Sequence, residues 1–222
     1  MKKHLFLLVI IVLAWGGFKA QAQEKNTLSI GLTVGPNISL LTGQGAGNNY
    51  TPRLGFVGGA LLNYSVSNSI GLGAELTYAN KGGNFRNNVT IADIRVSQRI
   101  NYIDVPIYMN YFFGEGESRP KLFFGANLSL LTSAKIVTKN TSTDFKDTED
   151  NSEGFRSTDA AFLIGAGWHK RVGEGIWLIL DARLSHSLSS IVAINPAVQN
   201  DVRNTTLSLR AAITMPLNLP KK

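Results

Sequence analysis

Five ionisable residues, Glu75, Asp104, Asp181, Arg183 and Arg210, each stand inside a stretch where apolar residues alternate with small or polar ones. Carboxylates and guanidiniums held away from water can pair into a charged core, or they can form a proton relay or narrow ion path. A second chemistry is suggested by histidine. His186 lies among Ser185, Ser187, Ser189 and Ser190, the residue types of a Ser-His-acid lipid hydrolase, whereas His169 has no such company. Catalysis needs nucleophile, base and orienting acid within hydrogen-bond reach, which sequence proximity does not supply. Serine is also common at the polar rim of a strand, so no residue is assigned a catalytic role.

Metal and phosphate chemistry have less to build on. The chain has no Cys, and His4 falls in an N-terminal leader. The acids Asp144, Asp147, Glu149, Asp150 and Glu153 lack the regular spacing of a calcium loop and suit a solvated surface segment. Gly43-Gln44-Gly45-Ala46-Gly47 is not followed by Lys-Ser/Thr, so it is an external loop rather than a phosphate cradle. No cofactor and no metal are expected.

The elements that must position the five charges follow from alternation. Met1 to Ala22 has the parts of a secretory signal: Lys2 and Lys3, the apolar run Leu5 to Trp15, and the small-residue exit Ala20-Gln21-Ala22. Cleavage there would leave residues 23–222 as a single domain. The formal charge of +7 would fall to +4, because Lys2, Lys3 and Lys19 leave without any acid. The remaining basic residues are scattered, which argues against nucleic acid as a partner. Beyond the leader, Gly, Asn, Ser or a charge interrupts every apolar run before the roughly 18 residues a spanning helix needs. Residence in a membrane therefore requires strands.

Eight segments alternate: Thr27 to Asn37, Arg53 to Val66, Ile70 to Ala79, Arg95 to Phe113, Leu122 to Leu130, Thr158 to Val172, Ile176 to Leu188 and Asn204 to Met215. In Ile70 to Tyr78, for example, Ile70, Leu72, Ala74, Leu76 and Tyr78 share one face, and Gly71, Gly73, Glu75 and Thr77 share the other. Val57 and Leu61 blur the second segment, and Pro106, which lacks a ladder donor, is expected to mark a bulge. The gaps 38–52, 82–94, 140–157 and 189–203 are long and polar, whereas 67–69, 114–120 and 173–175 are short. The expected fold is all-β: an eight-stranded antiparallel up-and-down transmembrane barrel with short periplasmic turns, long external loops and both termini periplasmic.

All five charges fall on the inward parity, where a small barrel has room only for side chains. Glu75, Asp104 and Asp181 are therefore expected to converge on Arg183 and Arg210 and plug the lumen. A soluble ligand-carrying barrel would need its apolar face inside, which is the reverse of this pattern.

Gly-Leu-Thr-Val-Gly-Pro-Asn at 31–37, Gly-Leu-Gly-Ala-Glu-Leu-Thr-Tyr at 71–78 with Lys81-Gly82-Gly83, and Tyr-Ile-Asp-Val-Pro-Ile at 102–107 resemble the PorT-like outer-membrane β-barrel proteins of Gram-negative envelopes. Phe-Phe-Gly-Ala-Asn at 123–127 and Gly-Ala-Gly at 165–167 continue the likeness. The resemblance implies an integral outer-membrane protein, with Glu75 and Asp104 at lumen positions and no known catalytic residue. The expected function is non-enzymatic: a structural, adhesion or secretion-accessory role through the extracellular loops. The alternatives are a narrow pore or proton path, and a lipid hydrolase using His186 with a nearby Ser. Expected partners are outer-membrane lipid and lipopolysaccharide, the barrel insertion machinery, and envelope or secretion proteins.

Overall fold

In the computed structural model, residues 26–46, 50–85, 94–140, 142–193 and 201–217 are described; the leader lies outside them. Eight long strands carry the fold: β1 (Leu28–Thr42), β3 (Arg53–Ser65), β4 (Ile70–Phe85), β5 (Ile94–Phe112), β6 (Ser118–Asn140), β8 (Thr158–Arg171), β9 (Trp177–Ser187) and β10 (Arg203–Pro216). Two short strands, β2 (Tyr50–Thr51) and β7 (Lys146–Asp150), pair with β4 and β6 outside the ring. Each long strand is antiparallel to its neighbours, β4 pairs β5, and β1 pairs β10 from Ser29 opposite Pro216 to Thr42 opposite Arg203. The sheet therefore closes on itself. Closure satisfies the backbone groups of every strand from a neighbour, which is what allows a sheet to stand in hydrocarbon.

Alternation sorts the two faces. Leu32 and Leu54 are 72% and 71% exposed on the outer wall, while Thr33 and Val57 beside them in sequence or on the next strand are buried. Val57 and Leu61, which blurred the sequence pattern, point inward and are buried, as are Asn63 and Ser65 in the same row. Between the rims, the outward positions of the eight strands carry no charge among the described residues. An Arg or Lys there would cost about 2–4 kcal/mol at the bilayer midplane.

Many inward glycines have a packing reason. Gly73 is registered against Tyr108 and Gly165 against Phe123, and a Cβ at either glycine would collide with the partner's ring. Removing the Cβ lets a large side chain lie flat across the neighbouring strand and reach the barrel axis.

Pro106 does not mark a bulge. The β4–β5 ladder skips Glu75 and Leu76, opposite Pro106 and Val105, yet keeps its register on both sides. The missing N–H opens the ladder without inserting a residue. The bulge lies elsewhere: Asn101 faces Ser133 and Tyr102 faces Leu131, leaving Thr132 as the extra residue on β6.

Several strands outlast their expected ends. β1 runs to Thr42, β4 to Phe85 and β6 from Ser118 to Asn140, and β6 turns back through β7 inside the expected loop 140–157. At 23 residues, β6 is far longer than the 9–11 residues that cross a bilayer. Together β5, β6 and β7 form a tongue standing beyond the lipid-facing band.

Loops seal the same end. Leu41, Ala46, Ile100, Tyr102, Ile191 and Val202 form a buried apolar cluster against which Phe155 and Val192 pack. Residues 154–156 and 191–193 are stitched by Arg156 N–H donating to Ile191 O at 2.8 Å and Ala193 N–H to Gly154 O at 3.0 Å. Gly43 begins its turn with φ +105, a conformation side-chain-bearing residues avoid, and leads to the buried Ala46.

Candidate functional site in the barrel lumen

Glu75 on β4 is the centre of the interior. Its Oε1 accepts hydrogen bonds from the Tyr108 hydroxyl at 2.6 Å and Arg183 Nη2 at 2.9 Å, and Oε2 accepts from Arg183 Nη1 at 3.2 Å and Arg210 Nη1 at 2.6 Å. Arg183 meets the carboxylate as a two-pronged fork, a geometry available to guanidinium and not to ammonium. Its guanidinium carbon lies 4.8 Å from the Tyr108 ring centroid and 5.0 Å from that of Phe123. Parity delivers all of these groups to one level from β4, β5, β6, β9 and β10. Glu75 is 6% exposed and Arg183 2%.

Two further ion pairs flank this centre. Toward the short turns, Lys121 Nζ donates to Asp181 Oδ2 at 3.1 Å and Asn110 Oδ1 at 3.2 Å, and lies 4.8 Å from the Phe123 ring. Toward the loops, Lys81 Nζ donates to Asp104 Oδ1 and Ser129 Oγ, each at 3.0 Å, with the Tyr102 ring 4.9 Å away. Closer still to the loops, the Ser187 hydroxyl donates to Asp159 Oδ2 at 2.7 Å, joined by Asn204 Nδ2 at 3.4 Å. At the opposite end Arg119 donates to the Asn68 carbonyl and lies over Phe112, which stacks on His169.

The five expected charges thus all face the lumen, but they do not all converge. Glu75 alone contacts both arginines. Asp181 is 3.9 Å from Arg183 and takes Lys121 as its close partner, and Asp104 pairs with Lys81. Lys81, Lys121 and Asp159 were outside the expected set. Each continues an inward row by one or two steps, so extending the alternation past Ala79, before Leu122 and from Thr158 would have found them. Counting them, four carboxylates face four cations at these levels, so no net charge is left in low dielectric.

A small polar cavity separates the central triad from the Lys81 pair. It has about 20 Å³ of free volume and is lined by residues including Asn37, Asn127, Thr206, Lys81 and Arg210. Asn37 Oδ1, Asn127 Oδ1 and Thr206 Oγ1 are buried without a protein partner. The space matches about one water molecule, and polar acceptors of this kind are what an interior water satisfies.

His186 is placed apart from this interior. Its Nδ1 is 2.8 Å from Thr205 Oγ1 and its ring neighbours Phe162, on the outward parity, whereas Ser185 and Ser187 face inward. Ser185 and Ser187 therefore lie on the opposite face of the sheet from His186. Asp147, Glu149 and Asp150 lie exposed in β7.

A family model described as outer membrane protein beta-barrel domain matches residues 20–193. No curated protein matches the sequence. Among solved structures, the chain is similar to the outer membrane protein OprG from Pseudomonas aeruginosa, with 11% identity and a TM-score of 0.48 over 90% of this chain and 100% of that one. It is also similar to Neisserial surface protein A, with 13% identity and a TM-score of 0.46 over 85% and 97% of the two chains. For Ail, the attachment invasion locus protein of Yersinia pestis, the values are 14%, 0.43, 86% and 100%.

Proposed function

As the chain belongs to the outer membrane protein beta-barrel domain family, we propose that it is a closed, non-conducting barrel whose work is done by the long-loop end, held outside the cell with both termini in the periplasm. The role is that of an adhesion, envelope-stabilising or secretion-accessory module, without enzymatic chemistry, and the PorT-like resemblance of its motifs fits the last of these. The observation that carries the reading is the occupied lumen. From Arg119 at the short turns to the apolar cluster beneath the loops, side chains from facing strands meet level by level, and the ion pairs at the centre are direct. A filled barrel leaves its protruding parts to act, and among the described residues the β5–β6–β7 tongue is the most prominent of them.

Two measurements test this. In planar bilayers the purified protein is expected to give no stable ion-selective conductance; steady conductance altered by Asp104→Asn or Arg210→Gln would move the pore to first place. Protease treatment of intact cells is expected to cut the tongue around residues 142–150, and cleavage at 114–117 in its place would invert the orientation.

A further inference from the structure

The tongue carries an unusual arrangement of charge. Arg95 on β5 is registered directly against Lys139 on β6, and Lys139 against Lys146 on β7. Three cations therefore stand abreast on one face of three adjacent strands, where neighbouring strands are about 4.8 Å apart. Like charges directly opposite one another destabilise a sheet. Four residues nearer the barrel, Arg99 is registered against Lys135, and Lys135 against Asp150. Only this second rung contains an acid. The Ser152 N–H donates to Asp150 Oδ1 at 2.9 Å and, with Lys135 nearby, holds that carboxyl below its ordinary value, so it stays ionised beside Lys135. The other acids of β7, Asp147 and Glu149, pair with Thr138 and Ile136 and so occupy the opposite face. Among the described residues, Arg95, Arg99, Lys139 and Lys146 have no carboxylate within ion-pair distance, and Arg99 Nε is buried without a partner.

A cavity and a height give these charges a purpose. Arg95, Arg99 and Lys139 line a concavity of about 460 Å³ whose remaining wall includes Asn84, Phe85 and Val137. The face is the lipid-facing one, since Arg99 shares its parity with Ile103 and Ile107. Between the last apolar positions and the cations runs a belt of side-chain hydrogen bonds, Asn80 to Asn101 at 2.7 Å and Asn101 to Ser133 at 2.9 Å. Arg99 lies four residues beyond Ile103, about 13 Å along the strand and less along the bilayer normal because barrel strands tilt by about 40°. An arginine side chain at that height reaches the headgroup zone.

We propose that the Arg95, Arg99 and Lys139 concavity binds the phosphorylated headgroup of an outer-leaflet glycolipid, with Lys146 completing the basic row. Phosphate oxygens supply the counter-charge that the sheet itself omits, guanidiniums grip them in two-pronged fashion, and the apolar part of the wall receives the carbon skeleton of the sugar. The source of the phosphate, an outer-leaflet lipid, rests on the orientation proposed above; the chemistry of the site does not.

The test uses the full chain folded in detergent micelles, where orientation plays no part, with bisphosphorylated lipid A as the probe. The expected result is preferential retention of this lipid over chemically dephosphorylated lipid A, weakening with added salt. Combining Arg95→Gln, Arg99→Gln and Lys139→Gln is expected to reduce retention by at least about tenfold, while Lys170→Gln at the short-turn rim leaves it unchanged. Heat-modifiable gel migration reports folding of each variant; if the triple variant does not fold, Lys139→Gln with Lys146→Gln replaces it. Equal retention of the dephosphorylated lipid, an unaffected variant, or displacement by millimolar inorganic phosphate would each overturn the assignment. Should micelle binding hold while protease treatment of cells places the tongue inside, the phosphate-binding chemistry stands, but the outer-leaflet assignment is overturned together with the orientation.

Discussion

Glu75 holds more of the interior together than any other side chain described, because two arginines and a tyrosine hydroxyl depend on one carboxylate. Glu75→Ala is expected to destabilise the folded barrel by about 3–5 kcal/mol, since it leaves Arg183 and Arg210 buried without a counter-charge. Urea unfolding in lipid vesicles measures this, and a loss below about 1 kcal/mol, the scale of an exposed ion pair, would mean that the triad is wet. The Lys81–Asp104 pair permits a cleaner comparison. Replacing both by Met and Leu is expected to cost much less than removing either alone, and a double-mutant cycle reads the difference. Inward placement of Glu75, Asp104, Asp181, Arg183 and Arg210 was legible because parity persists along an unbroken strand. Lys81 and Lys121 were not, because Gly82-Gly83 and Pro120 look like turns; in the barrel β4 runs through the glycines, with Gly82 at φ +120, and β6 runs through the proline. Partner choice was illegible for a different reason: it depends on which walls face each other across the lumen, and alternation carries no information about that.

The β5–β6 hairpin changes character at Thr132. Below this bulge its outer face is Ile103, Ile107, Leu128 and Leu130; above it come Asn101, Ser133 and then the cations. The alternation that marks a strand in lipid fades where the outer face meets water and no longer has to be apolar. That is why the ends of β1 and β4 and all of β7 fell within expected loops, and why the β6 segment was expected to end at Leu130. The physical separation of tongue from barrel carries a prediction of its own. Replacing residues 137–148 by a two-residue Asn-Gly turn removes the end of β6 and most of β7, leaves Ile94–Ser97 of β5 without their β6 partners, and touches no part of the lumen network, so stability in urea is expected to change by about 1 kcal/mol or less. A collapse of the gel-shifted folded form would show instead that the tongue buttresses the ring.

Across the whole molecule the lumen is blocked twice, by the apolar cluster under the loops and by the ion pairs at mid-height. Ile191→Ser combined with Val202→Ser is expected to loosen the first and leave the second, so amide exchange should quicken near Tyr102 and Ile100 while planar-bilayer conductance stays at baseline. Conductance in that variant would mean the central charges do not seal. Closure of the ring was legible from the count and parity of segments, but the double seal was not, because loop residues such as Ala46 and Ile191 carry no period. The seam between first and last strands sets the order in which the chain can assemble. Arg210 reaches back 135 residues to Glu75, and β10 must dock on β1 before that contact exists. Until then Glu75, emerging early, has no full complement, and an open sheet sliding into hydrocarbon would drag an uncompensated carboxylate with it. Contacts of such long span form late and slowly. Zipping and burial are therefore expected to coincide, with the inner wall wet until the final strand docks on the first.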